Sequence, residues 1–133
     1  MSGFDDPLPP RVRAEFASLA QAGDLQDGPG QVLTGEAGAV AEGVRVRLQL
    51  RVLDGRITAA RFRAYGCPWT LAVCNWLTGR LPGRTLAELA AEAPQDWARA
   101  LEVPVERLTR LLVIEDALRA AAAHDQMEQG LGR

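Results

Sequence analysis

Apolar and polar residues alternate strictly over residues 44–52, and this is the clearest pattern in the chain. Valine and leucine occupy the even positions, whereas arginine and glutamine occupy the odd ones. A period of two over this length predicts a β-strand with one buried face. The stretch RITAARFRAY at 56–65 alternates in the same way and predicts a second strand, whose core side is formed by Thr58, Ala60, Phe62 and Ala64.

The turn between these two strands is predicted from the parity of the alternation. A two-residue loop would place Leu48 opposite Arg61, which mixes an apolar and a charged side chain on one face. A three-residue loop over residues 53–55 pairs Leu48 with Ala60 instead, and it gives Gly55 the left-handed position that such a loop needs. We therefore predict the three-residue loop.

The same register determines which arginines face each other on the polar side of the hairpin. It sets Arg45 opposite Arg63 and Arg47 opposite Arg61, and directly opposed like charges destabilise a strand pair. One interpretation is a solvated face, with the guanidinium groups in water or paired with acidic groups of a neighbouring element. The other is a patch that binds an acidic partner. We favour the solvated face because exposed charges cost little in water.

Residues outside the hairpin carry the apolar spacing and boundary signals of helices. These signals predict helices over residues 11–22, 68–78, 85–93, 94–101 and 104–124. Gly23 is expected to cap the first helix, and Thr85 and Glu88 are spaced as a capping box. The last helix is expected to bury Leu108, Leu111, Leu112, Ile114, Leu118, Ala121 and Ala122. Residues 31–34 predict at most one weak strand.

The order of these elements predicts the fold class. A helix, a weak strand, two strong strands and then several helices indicate an α+β domain with a small antiparallel sheet. The sheet has about three strands, one strong hairpin among them, and helices cover one of its faces.

Length and composition narrow the class of protein further. The 133 residues suit a single domain over 1–133, with a core over about 11–124 and flexible ends at 1–10 and 125–133. A net charge of −2 disfavours nucleic-acid binding. No stretch is long and apolar enough for a membrane span, and the start MSGFDDPLPP lacks the features of a secretory signal. We therefore expect a cytoplasmic protein.

The chain has two cysteines and one histidine, too few for a four-ligand zinc site within one molecule. Cys67 precedes Pro68 and is expected at a helix N-terminus, where the dipole favours a reactive thiolate; the alternative is a capping residue without chemistry. Cys74 lies about 10 Å further along the same helix and is expected in the core. His124 is expected at a helix end as a cation, and nothing positions a triad of Cys67, His124 and Asp125.

Three segments resemble one known family. VRLQLRVLDGRITAARFRAYGC resembles the hairpin and the start of the first following helix of the IscU/NifU N-terminal family of iron–sulfur cluster scaffold proteins. LTGRLPGRTLAEL resembles the next turn and helix, and IEDALRAAAAH resembles the final helix. The resemblance covers roughly Ala14 to His124 and implies the IscU/NifU-like α+β fold. In that family a cysteine desulfurase delivers sulfur, and the cluster is assembled on three cysteines with a nearby Asp and His.

The resemblance also implies where the family's ligands would stand in this chain. The middle cysteine matches Cys67, the first cysteine matches Glu42, and the Asp two residues later matches Val44. The final His-Cys pair matches Thr109 and Arg110. One thiol of three therefore remains: a carboxylate such as Glu42 is a poor substitute in a site that prefers soft thiolates, and Arg110 cannot ligate at all.

The resemblance implies a non-enzymatic protein of iron–sulfur cluster assembly that cannot hold a complete cluster by itself and binds no cofactor firmly. Cys67 is then expected to accept or relay sulfur as a persulfide, with a cysteine desulfurase or another assembly protein as partner. A second hypothesis is an interaction or regulatory module whose arginines dock an acidic partner, namely Arg45, Arg47, Arg61 and Arg63. A third is a cluster shared between two chains through two Cys67 thiolates, completed by glutathione or Glu42.

Overall fold

The computed structural model describes the backbone of residues 8–131 and the side chains of residues 8–124. Its helices and strands follow in the order α1 (Pro10–Ser18), β1 (Gln31–Ala39), β2 (Val44–Leu53), β3 (Arg56–Tyr65), α2 (Pro68–Gly79), α3 (Pro94–Leu101) and α4 (Leu108–Leu131). Short 3₁₀ helices lie at Val40–Glu42, Ala87–Ala91 and Val105–Arg107. The strands form one antiparallel sheet in the order β1-β2-β3. The predicted α+β class with a three-stranded sheet is confirmed.

The predicted three-residue turn between β2 and β3 is wrong. The turn has two residues, Asp54 and Gly55, and both have positive φ angles, 52° and 79°. The register then shifts by one residue, because Thr58 has no partner across the pair, and Leu48 comes to lie opposite Phe62. This β-bulge adds one residue to β3, so the apolar side chains of both strands still share one face, as the three-residue loop was predicted to achieve. It also turns Thr58 to the exposed side, whereas the prediction placed it toward the core.

Strand β1 is much longer than the weak strand predicted at 31–34. Its glycines explain why the prediction was too short. Gly35 is buried opposite Leu48, and a methyl group built on it would collide with the backbone of Ala117 and Ala121 in α4. Neither alanine side chain is accessible to solvent. Helix and strand therefore approach backbone to backbone, and the small residues that weaken the strand signal are the ones that this contact requires.

Helix α1 ends earlier than predicted. It stops at Ser18, and Leu19 takes the left-handed conformation with φ 39°, so the predicted end at Ala22 with a Gly23 cap is wrong. The chain leaves the helix in order to run beside β3. The N–H of Phe62 donates to the carbonyl of Gln21 at 3.1 Å, and the N–H of Gly23 donates to the carbonyl of Phe62 at 2.8 Å.

The other helices follow the predictions with small corrections. Thr85 and Glu88 form the predicted capping box, each accepting the other's backbone N–H at 3.2 Å, although the helix after them is a 3₁₀ helix. α4 continues past the predicted end at His124. On α4, Leu112 is 42% exposed rather than buried. Residues 1–7 and 132–133 of the expected flexible ends lie outside the described residues.

Helices α2 and α4 cover one face of the sheet and enclose the core. The alternating residues of β2 from Val44 to Leu50 and the inner residues of α4 are fully or nearly fully buried there. Beside this core, the nearly buried Glu92 accepts hydrogen bonds from Arg80 at 3.2 Å and from the Trp97 indole at 2.8 Å. Within residues 8–131 no helix combines the length and apolarity needed to cross a membrane.

We predict that Gly35→Ala lowers the free energy of unfolding by about 3 kcal/mol, because α4 must move away from β1 to admit the methyl group. Urea unfolding followed by tryptophan fluorescence measures the change. Gly79→Ala is the matched control: its methyl group would meet only the Gln21 side chain at 3.7 Å. In a helix that exchange is neutral or stabilises by up to about 1 kcal/mol. Equal unfolding midpoints for the two variants would contradict the close contact.

Candidate functional site

Strand β3 leads directly into helix α2, and Cys67 lies at the junction. Its backbone is extended, with φ −77° and ψ 170°, and Pro68 is the first residue of the helix. Cys67 is therefore the N-cap residue, as predicted, but its side chain makes no capping hydrogen bond. The thiol lies at the positive end of the α2 dipole, beside backbone N–H groups that have no partner within the helix.

The surroundings of Cys67 favour its ionised form. Cys67 is half-buried, and its Sγ lies 3.5 Å from the hydroxyl oxygen of Thr70. Burial opposes ionisation, but the Thr70 hydroxyl, the nearby backbone N–H groups of Thr70 and Trp69 and the charge of Arg107 together outweigh it. The pKa of Cys67 is therefore held below its usual value of 9.0. A larger share of this thiol is thiolate at neutral pH than in an ordinary cysteine.

The second thiol has the opposite character. Cys74 is completely buried, as predicted, and burial raises its pKa far above the usual value. It cannot act as a nucleophile or a metal ligand in the folded protein. Cys67 is thus the reactive thiol of the two.

His124 does not take the predicted position at a helix end, because α4 continues to Leu131. Its Nδ1 accepts a hydrogen bond from the backbone N–H of Thr34 in β1 at 3.0 Å. This places His124 part-way along β1, away from the end of the sheet where β3 leads into Cys67. The structure therefore does not bring Cys67 and His124 together as a catalytic triad would require. The Asp125 side chain lies outside the described residues.

Glu42 and Val44, the first pair of positions that the resemblance matches to family ligands, lie where the turn after β1 leads into β2. Glu42 ends the 3₁₀ helix there and is exposed, and Gly43 follows with φ 86°. The Val44 side chain is 5% exposed and belongs to the hydrophobic core. Glu42 and Val44 therefore point into different environments, one into water and one into the protein.

The second pair lies at the start of α4, where Thr109 is exposed and Arg110 is partly buried. Nη1 of Arg110 donates to the carbonyl oxygen of Gly43 at 3.0 Å. Arg110 thus joins the element that carries the third family position to the turn that carries the first. Among the described side chains, no three Cys, His, Asp or Glu residues are grouped so as to hold a metal ion.

The arginine face of the sheet differs from the predicted arrangement. Because of the bulge, Arg45 lies opposite Tyr65, and Arg61 lies opposite Gln49, so the predicted pairs of facing arginines are wrong. Arg47 and Arg63 do face each other.

Each of these four arginines has a partner within the chain. Asp24 lies between Arg47 and Arg63 and bonds to both: its carboxylate accepts from Nε and Nη2 of Arg63 at 2.8 and 3.1 Å. The hydrogen bond from Arg63 is the main cause of a lowered pKa of Asp24. Arg61 donates to the Gln21 side chain at 2.9 Å, and Arg45 lies 3.4 Å from Glu36. An open cavity of about 330 Å³ remains beside these groups, lined by Glu36, Val40, Arg45, Arg47, Arg63, Ala64 and Tyr65.

Comparison with known proteins now identifies the family. Residues 12–130 match the sequence model of the NifU-like N terminal domain. This protein belongs to that family. The iron–sulfur cluster assembly scaffold protein IscU of Haemophilus influenzae is 35% identical over 121 residues, which cover 90% of this chain and 96% of that protein. IscU of Escherichia coli K12 is 35% identical over 114 residues, covering 85% of this chain and 89% of that protein. The chain is thus a member of the IscU/NifU-like iron–sulfur cluster assembly scaffold family.

Solved structures confirm the fold of the NifU-like N terminal domain for this chain. A protein of Fervidobacterium islandicum, assigned as an iron–sulfur cluster assembly scaffold for the SUF system, superposes with a TM-score of 0.67 at 15% identity, covering 86% of this chain and 95% of that one. The N-terminal part of a NifU-like protein of Brucella abortus superposes with a TM-score of 0.54 at 24% identity, covering 92% of this chain and 85% of that one. At these identities the likeness concerns the fold alone.

Sequence reasoning missed three residues of this region. Thr70 follows Cys67 by three positions, the spacing at which an N-cap residue and a residue of the first helical turn meet, so its role had a readable signal. Arg107, whose charge acts on Cys67, comes from a distant part of the chain. Asp24, which pairs with two arginines of the sheet, does so as well. No local pattern indicates either of them.

We predict that iodoacetamide modifies Cys67 in the native protein, and that Cys74 reacts only after unfolding. The pH midpoint of Cys67 alkylation should lie below that of an ordinary thiol, because its neighbours stabilise the thiolate. Thr70→Val removes the hydroxyl and should raise the midpoint, whereas Thr70→Ser keeps the hydroxyl and should preserve most of the effect. Mass spectrometry of alkylation rate against pH measures both, and a midpoint that is the same in the valine and serine variants would contradict the assigned cause.

Proposed function

We propose that this protein accepts sulfur as a persulfide on Cys67 during iron–sulfur cluster assembly, as a carrier and not as an enzyme, and that it does not hold a complete cluster by itself. The observation that carries this proposal is the half-buried Cys67 thiol at the start of α2, with its pKa lowered by its neighbours. Sulfur transfer needs one accessible thiolate, and this chain keeps one.

The transfer balances without an added oxidant or reductant. The Cys67 thiolate attacks the terminal sulfur of a persulfide on the donor protein, and a new S–S bond forms at Cys67. The S–S bond of the donor breaks at the same time, and the donor cysteine leaves as a thiolate. One S–S bond forms as another breaks, so the transferred sulfur keeps its oxidation state, and the proton of the donor persulfide travels with it.

Cluster assembly on a single chain has less support. Iron–sulfur clusters are held by several thiolates, whereas Cys67 is the one accessible thiol among the described residues. At the other two family positions, Glu42 is an exposed carboxylate and Arg110 is bonded to Gly43. A cluster shared by two chains would need two Cys67 thiolates and further ligands, such as glutathione or Glu42, and is the lesser candidate.

The relatives indicate the kind of partner. Two relatives that are 35% identical are named as iron–sulfur cluster assembly scaffold proteins. We therefore propose a cysteine desulfurase, or another assembly protein that carries a persulfide, as the sulfur donor. A free thiol of this kind persists in a reducing compartment, and we propose that the protein acts in the cytoplasm.

An interaction module that docks an acidic partner is the alternative function. Its support is the cavity beside Arg45, Arg47 and Arg63. However, Asp24 already neutralises much of this face by pairing with Arg47 and Arg63. An acidic partner would have to compete with a carboxylate of the same chain, which is why we prefer the role of Cys67.

We predict that incubation with cysteine and the cognate cysteine desulfurase adds the mass of sulfur to Cys67, as read by mass spectrometry of the intact protein and its peptides. Cys67→Ser should abolish this addition because it removes the nucleophile. Cys74→Ala is the control, since it removes the buried thiol and should leave transfer intact.

Two results would contradict the proposal. One is sulfur uptake by Cys67→Ser at the level of the unaltered protein. The other is stoichiometric iron and sulfide on each chain after anaerobic reconstitution, because this would show that the remaining residues do hold a cluster.

A further inference from the structure

We propose that Arg110 replaces a metal ion as the link between the turn at residues 40–44 and helix α4, so that this end of the protein is ordered without metal. The inference concerns the folding of the site and does not depend on sulfur transfer to Cys67.

The first observation is the bond itself. Nη1 of Arg110 donates to the carbonyl oxygen of Gly43 at 3.0 Å, across 67 positions of the chain. Gly43 adopts φ 86°, and its open side is filled by the guanidinium group, which would lie 3.1 Å from a Cβ built there. The contact therefore uses both the left-handed backbone and the missing side chain of Gly43.

The second observation is that Arg110 continues the packing between α4 and β1. Ala117 and Ala121 lie against Gly35, and Val113 lies 2.9 Å from a Cβ built on Gly38. These α4 positions are spaced by three or four residues and form one face of the helix. Arg110 is three residues before Val113 on the same face, so it carries the contact from the strand to the turn.

The third observation is that the turn is anchored from its other side as well. Val44, two residues after Glu42, is buried in the hydrophobic core. A metal bound by residues from three elements contributes its binding energy to folding, because the site does not exist in the unfolded chain. Here Arg110, through its charge-assisted hydrogen bond, and the buried Val44 occupy two of the positions that the resemblance matches to metal-binding residues.

The first test uses the unaltered protein. We expect that Zn²⁺ in molar excess leaves the urea unfolding midpoint unchanged and does not slow alkylation of Cys67, since a ligand that does not bind the folded state cannot stabilise it. A rise in the midpoint or protection of Cys67 by Zn²⁺ would overturn the proposal. This arm needs no variant and gives an answer even where substitutions prevent folding.

The second test removes the bond. Arg110→Met keeps the unbranched stem and loses the donors, and it should lower the folding equilibrium constant about tenfold or more, as expected for a hydrogen bond from a charged group. Arg119→Met is the matched control on the same helix, because Arg119 pairs with Glu115 of α4 at 2.7 Å and is exposed. That exposed pair should change the constant by about twofold at most.

Amide hydrogen exchange shows where the effect lies. In Arg110→Met, amide hydrogen exchange in the absence of urea should become faster over residues 40–44. Residues 94–101 of α3 should keep their protection. Equal stability of the two variants, or unchanged exchange over residues 40–44, would refute the role of Arg110. None of these measurements involves sulfur transfer, so their outcome is independent of the fate of the proposed function.

Discussion

The close approach of helix α4 to strand β1 is the contact on which the rest of the structure depends. It requires a residue without a side chain at Gly35 and small residues at Ala117 and Ala121. It covers the edge strand of the sheet, where the free N–H of Thr34 is taken by His124. An exposed strand edge is a template for aggregation, so the helix both completes the core and protects the sheet.

The same contact places the elements of the candidate site. With α4 lying along β1, its first turn reaches the β1–β2 turn, and Arg110 meets Gly43 there. Strand β3 lies at the other side of the sheet from β1, and it leads into Cys67 at the start of α2. The site thus combines a thiol whose ionised form is favoured with a hydrogen bond that joins α4 to the β1–β2 turn. The proposed sulfur transfer requires one accessible thiolate, and Cys67 is the accessible thiol of the described residues, whereas iron–sulfur clusters are held by several thiolates.

The polar face of the sheet shows how a local conflict is resolved by a distant residue. Arg47 and Arg63 lie opposite each other and would repel. Asp24, which comes from the segment between α1 and β1, pairs with both and lowers the repulsion. The segment is held nearby by backbone bonds to Phe62, so this charge arrangement is part of the fold itself.

Local sequence patterns were enough to predict the two long strands, α2 with Cys67 at its N-terminus, the capping box at Thr85 and the family resemblance. These follow from local periodicity and boundary residues, which act over a few positions. Tertiary contacts set the length of β1 around Gly35, the bulge at Thr58 and the partner of Arg110. Each of these depends on what a distant segment brings against the residue: a helix backbone, a register that must keep one face apolar, or a carbonyl 67 positions away. Local patterns do not contain such contacts, because they arise only when the elements pack.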